Sequence, residues 1–471
     1  MRRTVYGIAL VLVLWAGRMP VVASSTEGEE GDKKFHITGE VRARWEYFEN
    51  LTDFTDNADS ADIDDDTYDI WPYRVRIAAH GQFSEGVSAM IELQNFGVFG
   101  DETPFKSSGY PPFQSFEAGS DPDDTNLYQG YLQLSEIGGS STNARIGRQE
   151  HTLGNELHMG DSDFYNGLSY DGVRLWWDFE SWELDGFYYN MSENNEGCLS
   201  FCGSDNVDFF GVTANFMAGE NIEIEPYVLN FRSQTPIDAT FQDKANFFTF
   251  GGRATRAIDS REDLEDGRWD WNAEIALQDG DIGPSFAESS HSAWLAEGWL
   301  GYNWACGDNG RSRVYAGLLM SSGDPEDAGG LPDDGDHENF LFLFTDFHSN
   351  NRLGDSDLEE IFFSAAAADA AFVAFFSSGV TDYNFGYEYV GERHGLLAAY
   401  HLFSLTEENC VGLTCDDDLG QELDIRYTYA YSSQLGFEVG VADFMPGDAV
   451  LNTFGGDDDA LRIWGQARLR F

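Results

Sequence analysis

The constraint that dominates this chain is a two-residue rhythm. In "FHITGEVRARWEY" (residues 35–47), Phe35, Ile37, Gly39, Val41, Ala43, Trp45 and Tyr47 alternate with His36, Thr38, Glu40, Arg42, Arg44 and Glu46. Successive side chains of a β-strand point to opposite faces, so such a run is a strand with one apolar and one polar face. The rhythm recurs in "WPYRVRIAAHGQF" (71–83), "DGVRLWWDF" (171–179) and "ELDIRYTYAY" (422–431), and it closes the chain in "ALRIWGQARLRF" (460–471). It is looser in "WDWNAEIALQ" and "AWLAEGWLGYNW".

Strands of soluble sheets run about five or six residues, whereas a strand crossing a bilayer at a tilt needs about 9–11. The runs here match the second class. Hydrocarbon offers no partner to backbone N–H and C=O groups, so a sheet placed there must close on itself. The segment "FFSAAAADAAFVAFF" (362–376) is short for a membrane helix, is broken by Asp369, and reads as part of a loop. The connections alternate in length. "SEG", "ES", "AGE", "GERH" and "SSQ" are short, whereas residues 50–68, 97–125, 151–169, 190–205, 322–380 and 406–419 form long ones. Outer-membrane barrels carry this asymmetry. We expect an all-β fold: a transmembrane, antiparallel up-and-down β-barrel of about 18 strands, with both termini periplasmic. The count is least constrained between residues 341 and 380.

Arg2 and Arg3, a short apolar core over residues 5–15 and small residues at 21–23 read as a secretion signal over residues 1–23. Residues 24–33 then form a short periplasmic segment, and residues 34–471 the barrel. Export permits disulfides, for which Cys198 with Cys202 and Cys410 with Cys415 are the expected pairs, leaving Cys306 as a free thiol. Zinc is the alternative, but neither pair has an accompanying histidine pattern.

The 83 acidic residues against 27 basic ones give a formal charge of −56, which argues against nucleic acid as a partner. An aromatic content of 15% argues against disorder. The runs "DNADSADIDDDTYD" (56–69), "DDGDHEN" (333–339) and "GGDDD" (455–459) fit solvated loops. Calcium is the alternative there, although none shows the full EF-hand pattern. No cofactor motif is present. His151, His158, His337 and His348 lie in loops among many acids, but no nucleophile–base constellation accompanies them, so no enzyme is expected.

The candidate site is a set of arginines. Arg42, Arg44, Arg74, Arg76, Arg145, Arg174, Arg462, Arg468 and Arg470 fall on the polar faces of the first, second, fifth, sixth and last strands. In a closed barrel the first and last strands are neighbours, so many of these share one arc of wall. An arginine facing lipid at mid-bilayer costs about 2–4 kcal/mol, so these must point inward. Guanidinium suits bidentate carboxylate binding, and an inward arc would attract an anionic solute. The alternative is that Glu40, Glu46, Glu92 and Asp178 pair with them as charged ladders that stiffen the wall. Both readings stay open.

The stretch "ARIGRQEHTLGNELHMGDSDFYNGLSYDGVRLWW" (144–177) resembles the alginate-export family of outer-membrane porins. Arg145, Gly147, Arg148 and Gln149 match its "R-x-G-R-Q" strand. Asp171, Gly172, Val173, Arg174 and Leu175 match its "F-D-G-V-R-L" strand, with Tyr170 in place of phenylalanine. "SSGD" (321–324) and "FTDFHSNNRLGDSD" (344–357) resemble its long loop, with Asp346, His348 and Gly354 as candidate matches. The resemblance implies a monomeric 18-stranded barrel that passes an anionic, alginate-like polysaccharide through an arginine-lined interior. Arg145, Arg148 and Arg174 carry that role by motif, while Arg42, Arg44, Arg74, Arg76 and Arg462 rest on the alternation. Arg148 departs from strict alternation and faces lipid unless a bulge re-aims it. The family can have a long periplasmic plug between late strands, whereas the last periplasmic turn here is only "SSQ". Phe471 resembles the C-terminal signal read by the outer-membrane assembly machinery, so the expected partners are membrane lipid, the solute and that machinery. The alternatives are a general or cation-preferring porin, and a barrel-anchored protein that binds through its acidic loops.

Overall fold

The computed structural model describes residues 35–50, 68–99, 125–161, 163–164, 167–192, 207–219, 221–233, 245–258, 267–282, 289–307, 310–324, 336–346, 378–411, 414–454, 456 and 458–471. The expected signal segment, residues 24–33, Cys198 with Cys202, His348, and the run 362–376 lie outside them, as do most of the acidic run at 56–69 and the side chains of Cys410 and Cys415.

The strands are β1 (Phe35–Glu49), β2 (Tyr68–Ile70), β3 (Pro72–Ser84), β4 (Val87–Val98), β5 (Thr125–Leu134), β6 (Thr142–Gln149) and β7 (Tyr170–Asp178). They continue as β8 (Trp182–Ser192), β9 (Val207–Met217), β10 (Ile222–Ser233), β11 (Ala245–Arg256), β12 (Arg268–Ile282), β13 (Ser289–Cys306) and β14 (Gly310–Ser321). The last are β15 (Asp336–His337), β16 (Val380–Val390), β17 (His394–Val411), β18 (Thr414–Ala430), β19 (Leu435–Pro446) and β20 (Ala460–Arg470). β2 is a short piece paired to β1 just before β3, and β15 adds to β13 in parallel. The other eighteen each pair antiparallel with the next in sequence. β20 closes on β1, from Glu40 opposite Arg470 to Glu49 opposite Leu461. Gly39 N–H donates to the Phe471 carbonyl at 2.8 Å, and Phe471 N–H returns the bond at 3.0 Å. The expected closed, up-and-down, 18-stranded barrel is the observed one.

The alternation sorts as lipid demands. Ile37, Val41, Ile77, Ile91, Ile146, Val212, Ile275, Leu277, Val314 and Val439 are exposed on the outer face. Exposed Phe83, Phe179 and Tyr431 lie near the short turns, and Trp71, Phe99 and Tyr188 near the opposite end. Such aromatic girdles mark the two membrane interfaces. Among the described residues no helix is long and apolar enough to cross a membrane.

Among the described residues, parts of several connections fold into the interior. Residues 150–161, 163–164 and 167–169, between β6 and β7, and residues 336–346, after β14, come together through a parallel bridge of Met159 with Phe344. Gly160 N–H donates to the Phe344 carbonyl at 2.7 Å, and Asp346 N–H to the Glu156 carbonyl at 3.0 Å. Each segment carries apolar side chains that need cover. Leu153, Met159, Leu341 and Phe344 pack against inward Tyr189, Phe209, Phe231 and Phe247. Leu157 and Phe340 join Leu295, Phe403 and Phe444, together with Ala449 and Val450 of the short helix α1 (Asp448–Phe454). One loop expectation needs correction. Residues 406–419 are largely a paired extension of β17 and β18, with Asn409 opposite Asp416 and Cys410 opposite Cys415. Continued ladder pairing satisfies the backbone groups that an irregular loop would leave to water.

Candidate functional site: an arginine arc holding a carboxylate

Strand register assembles the site. Arg42 on β1 lies opposite Arg74 on β3 and Arg468 on β20, so three guanidiniums share one row. In the adjacent row Glu40 lies between Arg76 and Arg470. Same-face rows along a strand are about 6.8 Å apart, twice the residue rise. Three guanidiniums in a row repel one another, and carboxylates offset that repulsion. Glu40 accepts from Arg74 Nη2 at 2.6 Å, from Arg468 Nε at 2.7 Å and from Arg470 Nε at 3.1 Å. Towards the loop end, Glu46 bridges Arg44 Nε at 2.5 Å and Arg462 Nη2 at 2.9 Å. Arg42, Arg44, Arg74, Arg76, Arg462 and Arg468 are all buried.

The third carboxylate comes from the inward segment. Asp163 Oδ1 lies 2.7 Å from Arg74 Nη2 and 3.0 Å from Arg76 Nη1, while Oδ2 pairs with Arg468. Its backbone carbonyl accepts from Arg42 Nη1 at 2.7 Å and Arg74 Nη1 at 3.2 Å. The next ring, Phe164, lies 3.6 Å beneath the Arg44 guanidinium and 4.7 Å from that of Arg462. Burial raises the Asp163 carboxyl, but Arg74, Arg468, Arg76 and Arg42 outweigh it and hold the group well below the usual carboxylate range. Gly167 lets the segment approach. Its φ is 85°, and a Cβ there would strike Arg76 and Tyr128.

The segment spans the interior. His151 Nδ1 lies 2.9 Å from Tyr189 Oη on β8, and His158 Nε2 lies 2.6 Å from Tyr227 Oη on β10. Asn155 Nδ2 donates to Glu297 on β13 at 2.6 Å. The loop histidines therefore fasten the segment to the wall. Glu156, Asp161 and Asp346, all buried, place carboxylate oxygens within 4.8 Å of one another where the two inward segments meet.

Of the arginines singled out from sequence, Arg42, Arg44, Arg74, Arg76 and Arg462 come together in the arc. Arg145 and Arg174 face each other on β6 and β7 as a second group. Arg174 Nε bonds Asp185 at 2.7 Å, while Arg145 bonds Gln133 at 2.7 Å and lies 4.2 Å from the Tyr131 ring. Arg148 does not join either group. No shift turns it inward. It shares the outer face with Ile146 and forms a two-pronged pair with Asp171, at 2.8 and 2.6 Å, in which both side chains are about half exposed. Outward Asp171 balances its charge without re-aiming it. Of the acids expected to form ladders, Glu40 and Glu46 do so, whereas Glu92 takes Gln129 and Asp178 takes Asn143.

Sequence reading passed over further inward arginines, Arg253 and Arg313 among them. Arg253 bonds Glu225 at 2.8 Å, and Arg313 sits between Glu388 at 2.6 Å and Asp270 at 2.8 Å. The same alternation would have found them, in "FTFGGRATR" and "GRSRVYAG". Asp163 had no such signal, being one acid among many in a loop.

The profile of the family described as alginate export matches residues 34–361. Comparison with curated proteins finds no match. Similar solved structures include a BenF-like porin from Pseudomonas fluorescens Pf-5, at 11% identity and TM-score 0.57, covering 93% of this chain and 99% of that one. OccK9 (OpdG) of Pseudomonas aeruginosa has 14% identity and TM-score 0.57, covering 92% and 98%. The outer membrane protein OpdK of the same organism has 11% identity and TM-score 0.55, covering 93% and 99%. At these identities the likeness concerns the fold.

Proposed function

This chain belongs to the alginate-export family of outer-membrane porins, and from that premise we propose that it passes an anionic, uronate-bearing polysaccharide or oligosaccharide by diffusion along its inward arginines. The chain is a β-barrel channel of the bacterial outer membrane. The substrate reading rests on one observation: seven arginines of three adjacent strands gather around Glu40, Glu46 and Asp163, the last of which is lent by a loop. Rows of guanidinium along the wall give a chain of carboxylates successive, exchangeable partners, each in the bidentate geometry arginine favours. No bond is made or broken, and passage needs only that each contact be weak enough to leave. The negative total charge does not forbid an anion path, because repulsion from outer loops is screened beyond about 8–10 Å at moderate salt.

Acids elsewhere on the wall, some of them beside the arc, support a second reading, a cation-preferring porin. Glu274, Glu297, Asp382, Glu422, Asp424 and Glu438 are buried on the inner faces of β12, β13, β16, β18 and β19. Reversal potentials across a planar bilayer in a KCl gradient, with trimannuronate added to one side, separate the two. Anion preference with trimannuronate blockade is the expected outcome. A cation-selective pore untouched by trimannuronate would assign the path to those acids.

A further inference from the structure

We propose that Asp163 is a built-in stand-in for the solute's carboxylate, and that a uronate enters the arginine arc by exchange for it. The inference rests on the anion-channel reading and deepens it.

Glu40, Glu46 and Asp163 sit in the arc, with Glu150 3.6 Å from Arg76 at its edge, and the three differ in what carries them. Glu40 and Glu46 belong to β1, whose ladders to β3 and β20 hold them in place. Asp163 belongs to the inward segment, and no wall ladder holds its backbone. Its carboxylate nevertheless uses both oxygens, on Arg74 and Arg76 of β3 and on Arg468 of β20. That is how a free carboxylate would be held: three guanidiniums converging from two strands that flank β1.

The local fold suits exchange. Leu168 N–H donates to the Asp161 carbonyl at 2.6 Å, which ties the base of a short excursion carrying Asp163 and Phe164. The segment is fastened to the rest of the wall on both sides of that base, at His151, Asn155 and His158 before it and by Leu168 against the aromatic cluster after it. The excursion can therefore leave the arc while the remainder of the segment stays latched. An occupied site lowers apparent affinity by the fraction of time it is free.

The test is trimannuronate block of single channels, in wild type and Asp163→Asn, with assembly checked by the heat-dependent gel shift of folded barrels. Asp163→Asn is expected to lower the half-blocking concentration about tenfold, the factor for a site free about one tenth of the time. An anion-preferring, blockable wild type with an unchanged half-blocking concentration in Asp163→Asn would overturn the exchange and leave the channel reading intact. Absence of anion preference and block in both proteins would overturn the channel reading and the exchange with it. Should Asp163→Asn fail to assemble, a Phe164→Cys chain whose native cysteines are replaced by serine tests the same exchange. Trimannuronate must speed modification of the new thiol by a charged reagent, and an unchanged rate overturns exchange.

Discussion

One inward segment meets two unlike stretches of the same wall. Against β1, β3 and β20 it presents Asp163, and the wall answers with guanidinium. Against β8 to β11 it presents Leu153 and Met159, and the wall answers with Tyr189, Phe209, Phe231 and Phe247. Both stretches obey the same alternation. The difference lies in what each inner face requires once water is displaced. Crowded guanidiniums need carboxylates, because a buried charge without a partner is costly. Aromatic rings need apolar cover, because burying their surface is favourable in proportion to area. The segment supplies both, so the interior is shaped by one loop matched to two chemistries.

Three substitutions test that contrast. Arg74→Ala should have the largest effect. Arg74 is fully buried and serves both Glu40 and Asp163, so its loss should cost about 3–5 kcal/mol, as for breaking other buried charge pairs. Urea unfolding of the barrel in lipid vesicles, followed by tryptophan fluorescence, reads the cost. A loss of only about 0–1 kcal/mol would place the arc with solvated surface pairs and erase the contrast. Met159→Ala comes next, at about 2–5 kcal/mol, because its fully buried side chain would leave a cavity beside Phe344. Its reversal potential in a KCl gradient should match wild type, and an altered one would show that the apolar side also tunes the ion path. Arg148→Ala should have the smallest effect, about 0–1 kcal/mol, because the Arg148–Asp171 pair is about half exposed on the outer face. A shift in reversal potential from this variant would tie the outer pair to the path and undo its separation from the arc.

Much of this was legible in the residue order, for a local reason. A period of two assigns each side chain to a face from its position alone, and lipid outside leaves charged faces one place to go. Hence Arg42, Arg44, Arg74, Arg76 and Arg462 were placed inward, closure made β1 and β20 neighbours, and Arg148 stood out as the arginine on the wrong parity. The family likeness of residues 144–177 was legible as well, because strand motifs keep their spacing. The rest was decided by contacts distant in sequence. Residues 150–169 show no alternation, and the place of His151, Asn155, His158 and Asp163 depends on Tyr189, Tyr227, Glu297 and the arginines of β1, β3 and β20, far apart along the chain. A loop acid acquires a role only when the closed barrel brings a compensating charge within about 3 Å, the hydrogen-bond distance at which an ion pair forms. Alternation therefore determined the wall and the direction of its charges, while tertiary closure alone decided that Asp163 would sit among them.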